Sequence, residues 1–121
     1  MTTIKGLLEN YECLWVYIGQ NQELREAFAD ELKDAFPDEG RSMENNVPFD
    51  SSHIGDIMAI HRDGRLNYVS YMVWTGTFHT GCVCGSDGVK IFGKEFLKVD
   101  FKKLKNGEAD YEVTTPNVRK L

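Results

Sequence analysis

Few residues in this sequence tie it to one compartment or one chemistry. Cysteine is scarce and odd in number: there are three, without framework spacing, which excludes a disulfide-stapled secreted scaffold. Long apolar runs are missing. The longest, CLWVYI over residues 13–18, has six residues, against the ~18 that a membrane span needs. The opening MTTIKGLLENYE lacks the charged-then-apolar order of a secretion signal, because Glu9 and Glu12 interrupt it. These absences predict a cytoplasmic protein without membrane contact. Positive charge is short in the first half. Residues 1–64 hold five Lys and Arg against thirteen Asp and Glu, a balance of −8, while residues 65–121 hold nine against six, a balance of +3. An acidic half repels phosphate and suits a partner with a basic surface.

What is present describes one globular domain. A chain of 121 residues has single-domain length and can bury a core without staples. Residues 53–75, HIGDIMAIHRDGRLNYVSYMVWT, read as a β-hairpin around Asp63-Gly64, a pair suited to a two-residue type I′ turn. That turn would set Arg62 against Arg65, Ala59 against Tyr68 and Ile57 against Ser70. Both faces of the hairpin would be largely apolar, which predicts a place inside a sheet. Upstream, residues 2–10 can form one or two helical turns with Ile4, Leu7 and Leu8 on one side. Residues 12–18 read as a buried strand ended by Gly19. Residues 21–36, NQELREAFADELKDAF, form a clear amphipathic helix. Asn21 can cap it, Leu24, Phe28, Leu32 and Phe36 make its apolar ridge, and Pro37 stops it.

A polar loop over residues 37–52 follows, with Met43, Val47 and Phe49 as possible anchors. Beyond the hairpin, Asp87-Gly88 marks a second turn. Residues 95–105 alternate as a strand at Leu97, Val99 and Phe101 but also carry helical spacing at Leu97, Phe101 and Leu104; a strand to Phe101 is the expected form. Asn106-Gly107 is a further turn signal, and residues 111–113 suit a last short strand. The fold class this predicts is α+β: an antiparallel sheet of about four to six strands with one long amphipathic helix packed on one face.

Chemistry-bearing residues are sparse. His79, Cys82 and Cys84 have donor types that zinc accepts, but the second Cys pair of a structural site is missing, and small core thiols explain the cysteines as well. No motif joins a nucleophile, a base and an orienting group, so no cofactor is expected and a binding role is favoured over catalysis; the enzymatic alternative is a small metal- or thiol-dependent enzyme using His79, Cys82 and Cys84. Tyr68, Tyr71, Trp74 and Phe78, with Lys90, Lys94, Lys98, Lys102, Lys103 and Lys105, would suit a single-stranded nucleic-acid binder if the aromatics faced solvent. The most suggestive pattern is acidic. Glu23, Glu26, Asp30 and Asp34 fall on the helix face opposite its apolar ridge, and Asp38, Glu39, Glu44 and Asp50 continue the charge into the loop. Such a surface can occupy a basic groove on a protein partner; the alternative is an ordinary solvated helix face.

A strand ending in WVYIG, then QELREAFADELKDAF, a polar loop and the hairpin IGDIMAIHRDGRLNYVSYMVW form an element order over residues 12–75. This order resembles small accessory proteins of phages and mobile elements, anti-CRISPR inhibitors among them. The resemblance implies a compact strand–helix–hairpin domain that acts by binding, as an inhibitor of a host nucleic-acid-binding defence system. It implies no particular site residues. A hairpin apolar on both faces leaves dimerisation open.

Overall fold

In the computed structural model the chain is described over residues 2–37, 48–76 and 96–113. Thr3 caps the first helix, α1 (Ile4–Leu8), by accepting from the Gly6 N–H at 3.0 Å. Strand β1 (Cys13–Tyr17) leads to helix α2 (Gln22–Ala35), which Asn21 caps by accepting from the Leu24 N–H at 3.1 Å. A 3-10 turn (Ser51–His53) precedes strands β2 (Ile57–His61) and β3 (Leu66–Tyr68). Helix α3 (Tyr71–Gly76) follows, and after the next described stretch begins come β4 (Phe96–Asp100) and helix α4 (Phe101–Lys105).

The class is α+β, but the sheet is mixed and not antiparallel. Its four strands run in the order β3-β2-β1-β4. β1 pairs antiparallel with β2, Trp15 opposite Ala59, and parallel with β4, Trp15 opposite Lys98. Turn residues announce antiparallel neighbours, whereas a parallel partner arrives by a long crossover that leaves no local mark. In place of one long helix, the described residues carry four helices, of which α2, at fourteen residues, is the longest.

The hairpin differs from its expected form in three ways. First, its register is shifted by one residue: Met58 faces Tyr68, Ala59 faces Asn67 and Ile60 faces Leu66. The Gly64 N–H donates to the His61 carbonyl at 2.9 Å, and the His61 N–H donates to the Arg65 carbonyl at 2.9 Å. This is a three-residue turn with Gly64 at φ +96°, the left-handed conformation that glycine adopts freely. The shift decides what is buried. A two-residue turn would put Asn67 beside Met58 and Ile60 in the main core, whereas the observed register puts Leu66 there. Second, β3 is the rim of the sheet and only β2 is interior. Third, the second strand stops at Tyr68. Ser70 then turns the chain into α3, its Oγ accepting from the Val73 N–H at 3.1 Å and its carbonyl from the Trp74 N–H at 2.9 Å.

Alternation along the strands builds two cores. On the first face, Leu14, Val16, Met58, Ile60, Leu66, Leu97 and Val99 meet Ile4, Leu7 and Leu8 of α1, Phe28, Ala29 and Leu32 of α2, and Phe101 and Leu104 of α4. Phe28 and Phe101 pack edge to face at 5.4 Å between centroids. On the second face, Cys13, Trp15, Ile57 and Ala59 gather around Trp74 and Val113. Of the last expected strand, the described residues show one bridge, Val99 to Glu112.

Candidate functional site

Helix α2 has two unlike sides. Phe28, Ala29 and Leu32 are buried against the sheet. Glu23, Glu26, Asp30 and Asp34 are all exposed. At 3.6 residues per turn these four positions fall within roughly 80° of the helix circumference, and at 1.5 Å per residue they span roughly 16 Å. Among the described residues, none of the four forms an ion pair. Glu26 accepts one weak hydrogen bond, from Gln22 Nε2 at 3.3 Å. Asp38, Glu39 and Glu44 lie outside the described residues. Asp50 belongs to the 3-10 turn, where it caps Ser52. Its carboxyl is held below the ordinary range by the Ser52 hydroxyl, opposed by desolvation and helped by the Ser52 N–H.

Glu31 sits at the border of the acidic face and does something else. Its side chain is 11% exposed, and it accepts from Lys105 Nζ at 2.6 Å and from the Ile4 N–H at 2.7 Å. It ties α1, α2 and α4 together at one point. The helical pattern sets it about 100° away from Asp30, toward the apolar ridge, but nothing local names its partners Ile4 and Lys105. A second carboxylate missed by sequence reasoning is Asp56. It pairs with Arg25 and accepts from the Tyr71 hydroxyl, while Arg25 Nε donates to the Gly19 carbonyl at 3.0 Å. The Asp56 carbonyl accepts from the Ile18 and Gly19 N–H groups at 2.7 and 3.0 Å. This network joins the start of α2, the end of β1 and α3.

The nucleic-acid candidates are dispersed. Tyr68 and Tyr71 are exposed, yet their hydroxyls are tied to the His53 carbonyl and to Asp56. Trp74 is buried in the second core. Lys98 is buried between tryptophans, its Nζ 4.8 Å from the Trp74 ring centroid and 5.7 Å from that of Trp15, and it donates to the Trp74 carbonyl. Burial brings its pKa down to about 7. Lys103 pairs with Asp110 at 2.9 Å and Lys105 with Glu31, while Lys102 is exposed. Phe78, Lys90 and Lys94 lie outside the described residues.

The thiol and metal candidates His79, Cys82 and Cys84 also lie outside the described residues. Cys13 is inside the second core, where desolvation pushes its thiol far above the ordinary value. That makes it a packing residue and not a nucleophile. Among the described residues no group of three or more His, Cys, Asp and Glu is placed to hold a metal ion, and no helix is long and apolar enough to cross a membrane. A cavity of about 300 Å³ at the hairpin turn is lined by Glu12, His61, Arg62, Asp63 and Arg65. Of its charges, Arg65 pairs with Asp63 at 3.1 Å, while Arg62 Nε donates to the Leu8 carbonyl at 2.8 Å.

No protein-family model matches the chain, and neither does any curated protein or any solved structure.

Proposed function

We propose that this protein works without catalysis, by binding another protein through the outer face of α2. Glu23, Glu26, Asp30 and Asp34 form the docking surface, and the partner presents a basic groove of the kind that holds nucleic acid. The observation that carries the reading is the two-sidedness of α2. Its apolar side is committed to the core, its inward carboxylate Glu31 is committed to Ile4 and Lys105, and four outward carboxylates stand in one row, none of them in an ion pair among the described residues, with the exposed Lys33 at the margin of the row. Charges arranged this way steer association and set specificity more than they set raw affinity. The finer form of the proposal is an inhibitor of the phage or mobile-element type that covers the nucleic-acid-binding surface of a host defence protein.

The test is charge reversal at Glu26, Asp30 and Asp34 to lysine. Glu23 is left in place because a carboxylate in the first turn favours the helix, whereas removing a carboxylate at Asp34 relieves the C-terminal end of the dipole. The triple variant keeps its circular dichroism spectrum and melting temperature. Partners recovered with the wild-type chain and identified by mass spectrometry are then titrated against both proteins at low and high salt. The wild type binds more weakly as salt rises, competes with duplex DNA for the partner, and the variant does not bind. Equal binding by the variant rejects the surface. Binding of the wild type to single-stranded DNA itself, in an anisotropy titration at low salt, would favour the nucleic-acid reading instead.

A further inference from the structure

We draw no further inference here: the strongest candidate, the side-chain cluster on the second face of the sheet in which the buried Lys98 amine lies between Trp15 and Trp74, rests on the lowered pKa of that one amine, and nothing in the structure shows a ligand or substrate that reaches it.

Discussion

Replacing Lys98 with methionine tests how charge is accommodated in the second core. The lysine is 4% exposed on β4, opposite Trp15. Its folded pKa of about 7 lies below the ordinary 10.5, with burial as the cause. Between those values the unfolded chain binds more protons than the folded one, so stability rises with pH across the window. Below pH 7 the amine is charged in both states and the penalty for burying it is at its greatest. Above pH 10.5 it is neutral in both states and the penalty is gone. One pKa unit is worth about 1.4 kcal/mol, so the full span is at most about 5 kcal/mol, and the part between pH 6 and pH 9 is about 2–3 kcal/mol. Methionine fills a similar volume without charge, which favours the variant at low pH. It also leaves the Trp74 carbonyl without the amine donor, a cost of about 1–3 kcal/mol that does not depend on pH. The decisive quantity is therefore how the difference between the two proteins changes with pH. Urea unfolding at several pH values gives it, followed by tryptophan fluorescence, because the chain's two tryptophans both flank this amine. The advantage of the variant shrinks by about 2–3 kcal/mol from pH 6 to pH 9. Two stability curves that stay parallel within about 0.5 kcal/mol would refute a buried, neutralised amine.

Four substitutions check how the elements are held. Leu32→Ala removes a fully buried side chain from the inner side of α2 and lowers unfolding free energy by about 3 kcal/mol in urea; a loss under about 1 kcal/mol would mean that α2 is not seated on the sheet. Glu31→Ala costs about 1–3 kcal/mol because it strips two acceptor contacts, whereas Asp30→Ala stays within about 0.5 kcal/mol, and equal effects at the two positions would contradict their different roles. Gly64→Ala forces a side chain into φ +96° and lowers stability by about 1–2 kcal/mol, read from the thermal midpoint; an unchanged midpoint would argue for a different turn.

Local signals located the elements well. The apolar side of residues 2–10, the cap Asn21 and apolar ridge of α2, and the dense apolar run of β1 each lie within a few neighbouring residues, and the structure places a helix, a helix and a strand there. The expected strand to Phe101 is one residue too long: residues 96–105 form two elements, a strand to Asp100 and a helix from Phe101, so the helical spacing belonged to Phe101 and Leu104 and the alternation to the residues before them. The hairpin was half legible. Asp63-Gly64 marked the bend, but the choice between a two-residue and a three-residue turn depends on which of Leu66 and Asn67 reaches the first core, and that core is completed by α1, α2 and α4. Residues 71–76 are rich in strand formers and still form α3, since one turn of helix after Ser70 carries Trp74 onto Trp15's side of the sheet. Tertiary burial outweighs a propensity difference of under about 1 kcal/mol.

Individual charges were harder to read than elements, and the physical reason is the same in each case. Asp30 and Glu31 differ by one step along α2, yet one faces water and the other closes a contact between α1 and α4. The step turns the side chain by about 100°, and whether that direction meets solvent or a neighbour depends on residues 27 positions before it and 74 after it. Lys98 repeats the lesson on a strand. Its neighbours Leu97 and Val99 face the first core, so alternation sends Lys98 to the other side, where a lysine reads as solvated. That side is covered because β4 lies parallel to β1 and α3 brings Trp74 over it. The exposed row on α2 is the opposite situation. Its four carboxylates are spaced so that one helical face carries them all, and a helix whose other face is committed to the core can turn that face only outward. An exposed row made of such residues is the kind that periodicity can find, whereas a buried ion or a half-buried carboxylate is visible only once the elements have been packed.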